Sequence, residues 1–247
     1  MSVEGSVRDR RRAETVAEIK AAALDQLAVA GTGGLSLRGV ARAVGMTVQS
    51  LYHYFDSRDA LLSALVTDSH NALADATEAA AAATRGQPPR ERRLATTGAF
   101  RAWALANPSA FLLLYGTPVP GFDPGPASES GSAALRLAGP FADVVFDGWT
   151  PDQIAAVPLP ENGAAVAAAA PEGALPPGAL ALFIELRARM HGLVTLELVG
   201  HLHPFNEHGA AFFDAAIDRM SGEVGEEFFA AAMGRMSDEL DALQARF

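Results

Sequence analysis

Gln49, Ser50, Tyr52 and His53 carry the side chains in this sequence best suited to recognition chemistry. An amide, two hydroxyls and an imidazole in so short a stretch can donate and accept hydrogen bonds, and they bring no carboxylate to repel phosphate. Leu51 and Phe55 are four apart, so on a helix the apolar pair turns inward and the polar set outward. The elements that must position them are legible on the N-terminal side. Ser36 can cap a first helix in which Leu37, Val40, Ala41 and Val44 recur at helical spacing. Gly45 stands where the chain must leave that helix, and Thr47 can cap the second. Two helices meeting at a glycine, the second with a polar outer face, is the shape that fills a DNA major groove. A helical hairpin buried in a core is the competing reading. Arg38 and Arg42 on the supporting helix speak against it.

Other candidates are sparser. His201, His203, Glu207 and His208 are ligand types close in sequence, but their spacing fits no defined metal motif, and a loop between two helices explains them equally. His191 lies mid-helix beside Gly192 on an almost apolar surface, where it is either a core histidine with one satisfied hydrogen bond or an imidazole that orients a ligand. The same pair of readings, core or contact, covers Trp103, Phe111, Tyr115 and Phe183. There is no G-x-S-x-G, no phosphate-binding glycine loop, no H-E-x-x-H and no cysteine, so neither an activated nucleophile nor a metal-bound water is indicated. The expectation is a protein that is not an enzyme and needs no cofactor or metal.

With 247 residues, 49% of them hydrophobic, the chain can form a small domain and a larger one with its own core. No run of about 18 uncharged apolar residues occurs, so no membrane partner is expected and a cytoplasmic location is. The net charge of −10 divides unevenly: residues 1–60 hold eight Lys and Arg against seven Asp and Glu, whereas the remainder holds 11 against 22. A weakly basic head on an acidic body should bind a polyanion with its head alone, the more weakly as salt rises.

Arg8, Arg10, Arg11 and Arg12 form a basic arm (residues 1–12) that is either a solvated tail or a strand of chain lying on phosphates or in the minor groove. Val16, Ile19, Ala23 and Leu27 predict a helix from Ala13 to Ala30. Ser57 should cap a fourth helix running to Ala83, and Thr84 to Pro89 breaks the pattern. Helices are then expected over Glu91 to Ala106, Ser109 to Tyr115, Ser132 to Phe146, Ala179 to Leu202, Glu207 to Met220 and Glu223 to Arg246. A proline- and glycine-rich loop spans Gly116 to Gly131, and short helices lie near Asp152 to Val157 and Ala164 to Ala169. The apolar residues of Ala179 to Leu202 wrap most of its circumference, so one face can serve the core and another a partner subunit. No strand is expected.

The run from Thr15 to Leu65, and above all Leu51-Tyr52-His53-Tyr54-Phe55 followed by Ser57-Arg58 and Leu61-Leu62, resembles the DNA-binding domain of the TetR family of bacterial transcriptional regulators. That run is about a fifth of the chain. The segments NPSAFLLLYGTPVPGF and RMHGLVTLELVGHLHP resemble the C-terminal domain of a subgroup with a tryptophan-histidine-glycine signature; here Met190 replaces the tryptophan while His191 and Gly192 stand.

The resemblance implies an all-α fold, with a three-helix helix-turn-helix domain over residues 13–65 joined by a connecting helix to a larger ligand-binding and dimerisation domain over 66–247. It implies a homodimeric repressor on a palindromic DNA operator, released by a small apolar ligand held among Trp103, Phe111, Tyr115, Phe183 and His191. Arg38, Gln49, Ser50 and His53 are then expected at base edges, and Thr47, Tyr52 and Arg58 at phosphates. The alternative is a ligand-binding or interaction protein whose helix-turn-helix does not read DNA.

Overall fold

The computed structural model describes residues 7–123, 125, 128–160, 163–169 and 175–225. Among them every regular element is helical: α1 Val7–Ala30, α2 Leu37–Ala43, α3 Val48–Tyr52, α4 Arg58–Ala83, α5 Pro89–Ala106, α6 Pro108–Tyr115, α7 Glu129–Val145, α8 Pro151–Ala155, α9 Ala164–Ala169 and α10 Pro177–Leu198. A further helix, α11, covers the described residues 209–225. None of these helices is long and apolar enough to cross a membrane. The chain gathers into two compact units, Met1–Ala76 with Ala102–Ala138 and Thr77–Arg101 with Gly139–Phe247. Helices α4, α5 and α7 each give residues to both.

The first unit closes around Ile19, Ala23 and Leu27 of α1, Leu37, Val40 and Ala41 of α2, Leu51 of α3, Phe55, and Leu61, Leu62 and Leu65 of α4. Three hydroxyls start its helices: Ser36 Oγ accepts from the Gly39 N–H (3.1 Å), Thr47 Oγ1 from the Ser50 N–H (3.0 Å) and Ser57 Oγ from the Ala60 N–H (3.0 Å). Gly45 turns the chain between α2 and α3 at φ +70°. At Gly39 a Cβ would stand 2.1 Å from Gln26 Nε2, so a side chain there would displace Gln26, whose Oε1 accepts from the Ser36 N–H at 2.9 Å. Helix α6, entered through Pro108 at its first position, packs against α1 and buries Ala110 and Phe111.

The second unit is built on Phe100, Phe141, Val144, Phe183, Met190, Val194, Phe213 and Ile217. Met190 lies within this core. Arg101 grips Glu197 with two hydrogen bonds, Nε to Oε2 at 2.7 Å and Nη2 to Oε1, and both side chains are largely buried. Gly209 lets α11 begin against this pair, since a Cβ would fall 2.7 Å from Glu197 Oε1. His191 packs on Phe100 with ring centroids 4.7 Å apart, and its Nε2 accepts from Arg187 Nε at 3.4 Å. Burial, reinforced by the Arg187 charge, pulls the His191 pKa down to about 3, so the ring is neutral at physiological pH.

Several expected boundaries move. The basic arm is not a tail from Val7 onward: Arg8, Arg10, Arg11 and Arg12 belong to α1, because no glycine or proline interrupts the chain there and Asp9 suits the first turn. The second helix of the pair is shorter than expected, ending at Tyr52, yet Phe55 is still buried just beyond it. The expected helix to Leu202 ends at Leu198, followed by a 3-10 turn over His203–His208. No break separates Met220 from Glu223, since residues 209–225 form one helix; the rest of the helix expected to reach Arg246 lies outside the described residues.

Gly45→Ala places a Cβ in the left-handed region and should lower stability by about 1–2 kcal/mol, measured by urea denaturation, without shifting the core. For His191 the unfolded chain takes up a proton near pH 6.5 and the folded protein only near pH 3. Stability should therefore rise with pH across that interval, with a deficit of about 2 kcal/mol at pH 5 relative to neutrality. The His191→Gln protein should lack this component, so its stability should change less than that of the native protein between pH 7 and pH 5.

Candidate functional site

Helix α3 has only five residues, too few to hold itself together, and it exists through its Thr47 cap and the complete burial of Leu51. That anchoring turns Gln49, Tyr52 and His53 to solvent, with Tyr52 44% exposed. Ser50 is partly buried, and its Oγ lies 2.8 Å from Thr47 Oγ1, so the cap and Ser50 form one hydroxyl pair. Arg38 is exposed in the first turn of α2. These side chains, projecting from a short helix over a rigid core, can offer hydrogen bonds to a flat polar edge. Arg58 is placed differently from the rest. It is partly buried, and its Nε donates to the Leu35 carbonyl at 3.1 Å, tying the start of α4 to the loop ahead of α2.

The N-terminal turns of α1 add to this surface in a way that residue spacing did not reveal. The Arg12 guanidinium lies 5.0 Å from the centre of the Tyr54 ring, and its Nη2 donates to the His53 carbonyl at 3.4 Å. Arg12 therefore connects α1 to the C-terminal end of α3. Arg8, Arg11, Thr15 and Tyr54 line the same concave surface. The available signal was an unbroken run of good helix formers through Arg8 to Arg12; the identity of the aromatic partner depends on how α1 crosses α3.

In the body, Trp103, Phe111 and Tyr115 belong to the first unit, where the Phe111 and Tyr115 rings are 5.0 Å apart, and Phe183 and His191 belong to the second. Phe183 borders a cavity of about 50 Å³ inside the second unit, with Phe141, Val144, Met190 and Ile217 among its apolar walls and Arg93 and Arg187 as its charged members. A larger recess of about 230 Å³, also in the second unit, is bordered by Trp149, Leu182 and Glu185. His201, His203, Glu207 and His208 are all exposed, and among the described residues no three His, Asp or Glu side chains are grouped to hold a metal.

Two stretches of the chain match known families. Residues 19–65 match the family described as bacterial regulatory proteins, tetR family, and residues 93–220 match the tetracyclin repressor-like C-terminal domain. The HTH-type transcriptional regulator Mb1846 of Mycobacterium bovis is 39% identical over 144 residues, which are 58% of this chain; the chain spans 61% of the length of that relative. Among solved structures, SCO4313 is similar with a TM-score of 0.69 at 31% identity, covering 88% of this chain and 100% of SCO4313. The TetR family transcriptional regulator PfmR from Thermus thermophilus shares the fold, with a TM-score of 0.56 at 14% identity over 82% of this chain and 96% of PfmR. With its C-terminal match alone covering more than half of its length and its helix pair matched in front of it, this chain belongs to the TetR family of bacterial regulatory proteins.

Proposed function

We propose that the protein is a cytoplasmic, homodimeric repressor that reads a palindromic operator with α3 and leaves it when a small ligand occupies the body. The observation that carries this is the exposure of Gln49, Tyr52 and His53 above a fully buried Leu51. Arg38, Gln49, Ser50 and His53 then meet base edges in the major groove, and Thr47 and Tyr52 meet phosphates. Arg58 acts on phosphate near its tie to Leu35. Arg8 and Arg11 extend the phosphate contacts along the flank.

Dimerisation is supported by α10. Ile184, Ala188, Gly192, Leu196 and the following Val199 fall at helical spacing, and all are exposed, an apolar stripe with a glycine at its centre where another helix can approach closely. Two copies joined there would need their α3 helices about 34–36 Å apart to enter successive major grooves. A ligand releases the operator only if it binds a different spacing more tightly than the one that fits DNA. The crossings of α4, α5 and α7 between the units are covalent routes for such a change. In α7 the crossing falls between Ala138 and Gly139, beside Pro140, whose missing N–H interrupts the helical ladder.

Selection from random duplexes at near-physiological salt should recover a palindrome with half-sites about one helical turn apart. Recovery of nothing above the starting pool would count against the assignment. On that operator, Tyr52→Ala should weaken binding to all sequences alike, about tenfold. Gln49→Ala should instead relax the preference at one base pair, a change of about 1–3 kcal/mol in discrimination. Ile184→Glu with Leu196→Glu should convert the protein to monomer in light-scattering measurements, and operator affinity should fall with it.

A further inference from the structure

Helix α3 is secured at its start by the Thr47 cap and in its middle by the buried Leu51, but its last turn contains no basic residue. The carbonyls that end a helix carry partial negative charge and lack partners within it, so a cation there is stabilising. Here α1 supplies one. The Arg12 guanidinium lies 5.0 Å from the centre of the Tyr54 ring, close enough for the ring face to attract it, and its Nη2 donates to the His53 carbonyl at 3.4 Å. His53 is the residue at which α3 ends. One side chain thus holds both that residue and the next.

Both ends of this tie are themselves fixed. Tyr54 packs against the core of the first unit, and α1 is anchored there by Ile19, Ala23 and Leu27 and by the ion pair of Lys20 with Asp68 of α4. Arg8, Arg11 and Thr15 share the face of α1 that carries Arg12, being three or four residues away from it or from one another. Arg8 and Arg11 are exposed on that face, whereas the Arg12 guanidinium is directed at Tyr54 and His53. A five-residue helix with a loose far end would present Tyr52 and His53 over a range of directions. Contacts to base edges need a fixed direction, and attraction to phosphate does not, so such looseness would cost specificity more than general affinity.

We propose that Arg12 is a positioning residue for operator recognition: resting on Tyr54 and donating to the His53 carbonyl, it fixes the direction of the C-terminal end of α3 and raises specificity without touching DNA. The proposal rests on the reading of α3 as the recognition helix, and it separates Arg12 from the phosphate contacts given to Arg8 and Arg11. A cation on an aromatic ring at an exposed site shifts an equilibrium about two- to fivefold, and a dimer carries two copies, so removing it should lower operator affinity about five- to thirtyfold.

The test compares the full-length native protein with Arg12→Met, first without DNA and then on the selected operator and on an unrelated duplex. In the free protein, the N–H groups of His53, Tyr54 and Phe55, which donate to the Ser50 and Leu51 carbonyls, should exchange with solvent about two- to fivefold faster in the variant, while those of Val40 and Val44 in α2 should not change. On DNA, operator affinity should fall by the amount given above and affinity for the unrelated duplex by less than about twofold. Loss of one phosphate contact per subunit would flatten the plot of log affinity against log salt by about 1.8; Arg11→Met should do so, and Arg12→Met should change it by less than about 0.5. On a Tyr54→Leu background, Arg12→Met should cost less than about twofold, because the ring it rests on is already gone. Unchanged exchange, equal losses on operator and unrelated duplex, a salt plot flattened as by Arg11→Met, or a full loss on the Tyr54→Leu background would each overturn the positioning role. Faster exchange with no operator recovered would reject the DNA reading and uphold the tie between Arg12 and α3. Unchanged exchange with operator binding intact would reject the role of Arg12 alone.

Discussion

Everything presented to solvent by α3 depends on one tight turn. Gly45, at φ +70°, lets α2 end and α3 begin within a few residues, and it does so at a position where a side chain would be strained. Beyond the turn, Thr47 caps a helix too short to persist alone, and Leu51 sinks into the layer formed by Ile19, Val40 and Leu62. The exposed polar residues are thus held by contacts that they do not themselves make. This is the arrangement expected of a reading surface, in which the recognising side chains must be free while their backbone is not.

The second unit is organised by ion pairs as much as by apolar contacts. Arg101 and Glu197 join α5 to α10 through two parallel hydrogen bonds, and Arg92 with Asp147 joins α5 to the segment after α7. Each such pair carries a desolvation cost that its geometry must offset, and in return it fixes how the helices meet more sharply than interchangeable hydrocarbon can.

The chain passes between the two units within helices. Three helices supply residues to both. Their properties differ. Helix α7 carries Pro140 next to the point where the unit boundary crosses it, while α4 has no proline along its 26 residues.

The amino-acid sequence by itself determined the features whose physics is local. Ser36, Thr47 and Ser57 cap their helices because a short hydroxyl reaches an N–H only three residues ahead, and the turn at Gly45 needs only the absence of a Cβ. The inward direction of Leu51 and Phe55 followed from their apolar character four residues apart. Only the tertiary structure decided which distant groups meet. It set Arg12 on Tyr54, turned Arg58 Nε to the Leu35 carbonyl, and assigned Trp103, Phe111 and Tyr115 to one unit but Phe183 and His191 to the other. It also made His191 a neutral, partly buried ring beside Arg187. Periodicity states which face of a helix is apolar. It carries no information about which helix will cover that face, and the charge state and partners of a buried group depend on that choice.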